Sequence, residues 1–216
     1  MRRGQAVGEP RGRWRGKREF AGQSYWGKPV PPLGDASAAV LIIGLAPAAH
    51  GGNRTGRMFT GDGSADWLAR ALFASGFATQ PTSHARGDGF ALKDAYLSAA
   101  IRCAPPKNKP SPRHMANCAS YLHAEFQSLR KMRVVVALGK IAFDRSLKLL
   151  ADAAYEIPRP RPVFAHATMT SLTLKEGGPV LTLIGSYHPS RQNTNTGKLT
   201  QKMLDLVFAK ARALLR

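Results

Sequence analysis

Residues 44–64 read GLAPAAHGGNRTGRMFTGDGS and follow directly on the apolar run Val40-Leu41-Ile42-Ile43. A short β-branched run that opens into glycine-rich chain is the pattern of a strand whose carboxyl end carries a binding loop. Glycine backbone can approach a ligand closely and aim its amides at it. After the loop, Trp67, Leu68, Ala71 and Leu72 recur at helical spacing behind Ser64, an N-cap candidate, and predict a helix over 65–76. The order strand, long loop, helix is the opening unit of an α/β fold. The loop contains neither G-x-G-x-x-G nor Gly-Lys-Ser/Thr, so it is not a dinucleotide or phosphate-loop fingerprint. On glycine spacing alone, an irregular surface loop and a ligand loop fit equally well.

Working outward, 25–35 holds Trp26, Pro29, Pro31, Pro32 and Gly34 and reads as an extended lead-in. Further strands are predicted at 95–101, 133–139, 163–167 and 180–184. Val134-Val135-Val136-Ala137-Leu138 is the strongest of these, because a continuously apolar, β-branched run marks a strand buried on both faces. Helices are predicted at 113–129, 140–151 and 199–214, the last with Leu199, Met203, Leu206, Val207, Ala213 and Leu214 available for burial. Proline-rich loops at 104–112 and 157–162 separate these elements. Strands alternating with helices imply an α/β fold: a single-domain α/β/α sandwich over 25–216, with a central, mostly parallel sheet of four to five strands. Residues 1–24 form a basic, flexible N-terminal segment in this reading.

The 216 residues are enough for one full core, and 32 Lys and Arg against 13 Asp and Glu give a formal charge of +19. Such a field favours a polyanionic partner, and nucleic acid is the commonest. Charge names a partner class and no reaction. The sequence has no apolar run long enough for a transmembrane helix and no apolar core of a secretory signal, so the expected location is cytoplasmic, without membrane association.

The literal string at 44–64 closely resembles the first signature of the family 5 (type b) uracil-DNA glycosylases. A second stretch, Gly185-Ser186-Tyr187-His188-Pro189-Ser190-Arg191-Gln192-Asn193, continuing to Thr196-Gly197-Lys198-Leu199-Thr200, resembles the family's later signature in the right order. The resemblance extends from about Lys17 to the C-terminus. It implies a monofunctional enzyme that flips uracil out of DNA and hydrolyses its N-glycosidic bond, leaving an abasic site for base excision repair. Hypoxanthine and xanthine are further substrates in the family, and small residues at Ala46, Ala48 and Ala49 beside Leu45 suit a roomy pocket. No lysine stands within the two motif cores, and Lys198 is peripheral, so a Schiff-base mechanism is not expected. A monomer is expected.

The resemblance also distributes roles. Phe59 stacks on the flipped base, within a base-binding set of Gly44, Leu45, Ala46, Phe59 and Asn108. His188 hydrogen-bonds the carbonyl oxygen of the leaving base as charge builds there. Asp62 is the only carboxylate in the first signature and is the candidate to orient water or stabilise the sugar cation. Relatives in other branches carry an acidic or amide residue where this chain has Leu45-Ala46. From the residues alone, an aspartate placed as Asp62 is more often a turn or helix-capping residue, and Asn108 is equally an Asx-turn residue. Arg54, Arg57, Lys107, Lys109, Lys140, Ser190 and Arg191 fall in loops or helix starts and form the expected DNA-binding face.

Cys103 and Cys118 are the only cysteines and bracket the first proline-rich loop. The resemblance implies a 4Fe-4S cluster held by these two and by an upstream C-x-x-C pair. That pair is absent, through a start site placed too late or through loss of the cluster, and four thiolates are the normal requirement. Two rivals follow: a catalytically inactive DNA-binding module of the same fold, and a nucleotide-processing enzyme on a similar sheet.

Overall fold

The computed structural model of the chain describes residues 18–216, so the expected basic segment at 1–24 lies outside the described residues as far as residue 17. Six strands form one sheet: β1 (Leu33–Gly34), β2 (Val40–Gly44), β3 (Ala95–Ala99), β4 (Val134–Leu138), β5 (Met169–Leu172) and β6 (Leu181–Ser186). Their order is β1-β3-β2-β4-β6-β5. The central strands β3, β2, β4 and β6 run parallel, while β1 and β5 pair antiparallel at the two edges. The expected count of four to five falls short by the two-residue β1, too brief to leave a pattern in the sequence.

The described helices are α1 (Gly52–Thr55), α2 (Gly63–Ala74), α3 (Pro112–Ser128), α4 (Lys140–Asp152), α5 (Arg191–Asn195) and α6 (Gln201–Ala213). Alternate residues of each central strand serve opposite faces, as period-two geometry requires. Val40 and Ile42 join Val134, Val136, Leu68, Leu72, Val207 and Phe208 on the α2/α6 face. Leu41 and Ile43 join Val135, Ala137, Leu122, Phe143 and Leu147 on the α3/α4 face. Burial on both faces is why these strands are continuously apolar rather than alternating.

Two sequence expectations need correction. No strand forms at 163–167: Val163 is 81% exposed, Ala167 takes a left-handed φ of 57°, and pairing begins only at Met169, opposite Ile184. On this edge strand only Leu172 is buried, so it lacks the apolar signature of the central strands. In α6 the buried stripe is Leu204, Val207, Phe208 and Ala211. Leu206 falls on the other side of that stripe and is exposed.

Candidate active site

The carboxyl ends of β2 and β6 carry the two signature loops, and the fold brings them together. Beyond β2 the chain stays tied to the loop after β3, because the Ala100 and Ile101 amides donate to the Gly44 and Leu45 carbonyls at 3.0 Å each. Leu45 and Ala46 are half-buried at this edge. Phe59 is half-buried and packs against the α2/α6 core. Its ring lies over Gly44 so closely that a Cβ at position 44 would stand 2.7 Å from Phe59 Cε2, which is why this strand end needs glycine. The Phe59 ring also approaches the His188 imidazole, at a centroid distance of 5.9 Å and tilted by 36°.

His188 follows β6 directly and is held by its backbone. Its carbonyl accepts from the Ser190 amide at 2.8 Å and from Asn193 Nδ2 at 2.8 Å. The Tyr187 amide donates to His166 Nδ1 at 3.1 Å, and the Tyr187 and His166 rings stack at 5.0 Å. Beneath lies Gly139, whose φ of +96° lets the chain turn from β4 into α4 beside His188. Burial pushes the imidazole pKa down to about 4, so His188 is neutral at physiological pH. A neutral imidazole still presents one N–H donor.

Asp62 is the N-cap of α2: its Oδ1 accepts from the Ala65 amide at 3.0 Å. The cap is thus Asp62 rather than Ser64, and the helix begins at Gly63. Oδ2 lies against Gly51, where an added Cβ would stand 1.9 Å away. Burial raises the Asp62 pKa above its ordinary value, against the lowering effects of the Ala65 and Ser64 amides and the Arg191 charge.

The expected DNA face divides in two. Lys107, Lys109, Lys140 and Arg191 are exposed in the loops and helix starts after β3, β4 and β6, with Lys140 also paired to Asp144 at 2.6 Å. Arg57 is instead turned inward and buried. It forms a two-point ion pair with Asp88, Nη1 to Oδ1 at 2.8 Å and Nη2 to Oδ2 at 2.9 Å, and so is not a phosphate contact. Arg54 is likewise committed: it donates to the His50 and Gly61 carbonyls and to Gln23, and its guanidinium lies 4.1 Å from the Phe20 ring centroid. Ser190 caps α5 by accepting from the Asn193 amide at 3.4 Å. Asn108 is exposed in the turn Pro106–Asn108, and both it and Lys107 have left-handed backbone, φ 56° and 51°.

Sequence reasoning identified the lead-in at 25–35 but missed its contact with the first loop, where Tyr25 Oη bonds His50 Nδ1 at 2.7 Å. It also missed the Asp88 and Ser83 partners of Arg57. Neither lies in a signature, and isolated residues in loops carry no periodic signal.

Cys118 is buried on α3 and Cys103 half-buried in the loop after β3, both as free thiols. Burial, and secondarily Cys118, push the Cys103 thiol up. Among the described residues no group of three or more His, Cys, Asp or Glu is placed to hold a metal ion. Two thiols do not meet the four-thiolate need of a 4Fe-4S cluster.

Comparison with known proteins agrees with this geometry. Residues 31–212 match the sequence model of the uracil DNA glycosylase superfamily. A type-5 uracil-DNA glycosylase of Pyrobaculum aerophilum is 44% identical over 196 residues, 91% of this chain and 80% of the relative. The type-5 uracil-DNA glycosylase of Thermus thermophilus is 44% identical over 198 residues, 92% of this chain and 85% of its own length. That of Mycobacterium tuberculosis is 44% identical over 199 residues, 92% and 71% of the two chains. With both signature loops meeting at one sheet edge and similarity running over nearly its whole described length, the chain belongs to the uracil DNA glycosylase superfamily, in its type-5 branch.

Proposed function

We propose that this protein is a monofunctional glycosylase that extracts uracil from DNA and hydrolyses its N-glycosidic bond, leaving an abasic site. The observation that carries this reading is the meeting of Phe59 with a neutral, half-buried His188 at the carboxyl edge of the sheet. A flipped base stacks on the Phe59 face, a contact that any base face accepts. The His188 N–H donates to a carbonyl oxygen of the base. As the bond between C1′ and the base nitrogen breaks, its electron pair moves onto the base, and this hydrogen bond strengthens with the charge on that oxygen. Such preorganised donors are worth on the order of 10² to 10³ in rate. Being neutral, His188 supplies one N–H donor and brings no positive charge of its own. Asp62 stabilises the developing sugar cation or orients the water that attacks C1′. Gly44, Leu45 and Ala46 floor the pocket, and the Asn108 amide presents a donor and an acceptor to the base edge. Ser190, at the start of α5, holds the loop that presents Arg191.

Lys107, Lys109, Lys140 and Arg191 grip phosphates around the site. Deaminated purines such as hypoxanthine and xanthine are proposed as secondary substrates, and a cytoplasmic monomer as the working form. Among the described residues no helix is long and apolar enough to cross a membrane. The two cysteines make half of a cluster ligand set, and no step of this reaction runs through iron.

The test is a labelled uracil-containing duplex incubated with the protein and then with alkali to break abasic sites. Cleavage that falls by about two orders of magnitude in His188→Ala is expected. A wild-type protein that binds the duplex and leaves uracil in place would refute the proposal.

A further inference from the structure

Phe59 stands in backbone that a bulky side chain avoids: its φ is 44°, in the left-handed region. Such a conformation persists only where the surroundings over-determine it. The surroundings here are a buried polar chain that begins at Arg57. Arg57 Nε donates to Thr60 Oγ1 at 2.8 Å, and Nη2 donates to Ser83 Oγ at 3.0 Å. Ser83 Oγ in turn donates to the Phe59 carbonyl at 3.0 Å. The Gly61 amide donates to the Ser83 carbonyl at 2.8 Å, so residues 59–61 are pinned to Ser83 on both sides.

The direction of this chain follows from its first member. A guanidinium has donors and no acceptor. By occupying a lone pair on Ser83 Oγ, Arg57 leaves the Ser83 hydrogen to point at the Phe59 carbonyl. The Thr60 hydroxyl, which also receives an Arg57 donor, sends its own hydrogen to the Met58 carbonyl at 3.1 Å or to Ser83 Oγ at 2.9 Å. Asp88 sets the guanidinium itself. Its carboxylate takes both Arg57 terminal nitrogens and also accepts from the His84, Ala85 and Phe90 amides at 2.8, 3.1 and 3.0 Å. That is a fixed anchor in a separate loop, and the bidentate fork makes it directional.

We infer that Arg57, Asp88 and Ser83 are positioning residues for the glycosylase reaction: their buried hydrogen-bond chain holds Phe59 in its left-handed conformation, with the ring over Gly44 and facing His188. The inference rests on the stacking role proposed above for Phe59. It also accounts for an arginine in the first signature that cannot reach phosphate.

The test uses Ser83→Ala, which removes one oxygen from the middle of the chain, with Asp88→Asn as a second variant. Both are measured by single-turnover excision of uracil from a duplex, in the natural chain and in a Phe59→Leu background. Ser83→Ala lowers the limiting rate about tenfold, while the enzyme concentration giving half the limiting rate changes less than about twofold, because misplacement of a stacking group acts on the chemical step. In the Phe59→Leu background the same substitution changes the limiting rate by less than about twofold, as residues acting through one another are non-additive. An undiminished rate in Ser83→Ala, or an equal loss in both backgrounds, overturns the inference. Full activity of Phe59→Leu itself would instead remove the stacking role and the inference with it, a result separable from failure of the clamp alone.

Discussion

Substituting His188→Gln removes a half-buried imidazole whose pKa desolvation has lowered from 6.5 to about 4. The folded protein therefore refuses a proton that the unfolded chain accepts in this interval. Above pH 6.5 neither state binds it and the group is neutral in its effect. As pH falls from 6.5 to about 4, the unfolded state gains the proton first, and the native protein loses stability relative to it. At about 1.36 kcal/mol per pKa unit, the loss reaches roughly 3 kcal/mol by pH 4. A glutamine does not titrate, so the variant lacks this contribution while retaining every other titrating group. The assay is urea unfolding of both proteins at pH 7, 6, 5 and 4, with stability extrapolated to water. The natural protein should lose roughly 3 kcal/mol more than His188→Gln across that range. Whatever fixed cost the glutamine imposes cancels in the slope. Parallel pH profiles would refute the reasoning: His188 would then be accessible to water in the folded state, and its neutrality in the proposed mechanism would fail with it.

Asp62 separates capping from chemistry. Asp62→Asn keeps an oxygen for the Ala65 amide and relieves the buried charge, so its stability at pH 7 should match or exceed that of the natural protein, whereas Asp62→Ala should lose about 1 kcal/mol by thermal melting. Excision reduced in both supports a chemical role; full activity in Asp62→Asn leaves only the cap. Gly51→Ala would set a methyl 1.9 Å from Asp62 Oδ2 and drive that side chain off its present position. It should cost about 1 kcal/mol of capping and add little to the excision defect of Asp62→Ala; a full additive loss would show that Gly51 acts elsewhere. Removing the exposed Arg191, a proposed phosphate contact, by Arg191→Ala should lower the slope of log affinity against log salt by about one. Arg57→Gln should leave that slope unchanged and destabilise the fold by about 1.5 to 3 kcal/mol, since it removes the charged hydrogen bonds to Asp88 while that carboxylate keeps its three amide donors. An unchanged slope in Arg191→Ala would remove that residue from the DNA face.

The alternating α/β architecture was legible in the sequence because its evidence is local. Val134 to Leu138 is apolar at every position, short and rich in β-branched valine, the pattern of a strand covered on both faces. Helix boundaries fell within a few residues for the same reason. The edge strands were not legible: β1 has two residues, and β5 buries Leu172 alone, so neither carries a periodic signal. The site divides along the same line. Residues 44–64 and 185–200 identified the two loops, with Phe59, Asp62 and His188 as their proposed chemical members. What each side chain does is a non-local matter. Arg54 and Arg57 stand three residues apart, and nothing in their sequence neighbours tells that one is held by backbone carbonyls and the other by Asp88, which arrives from another loop. Nor could sequence place the Phe59 ring against His188, or hold that imidazole neutral. Those outcomes depend on distance and burial, and both are set only when strands β2 and β6 pack around β4 in one sheet.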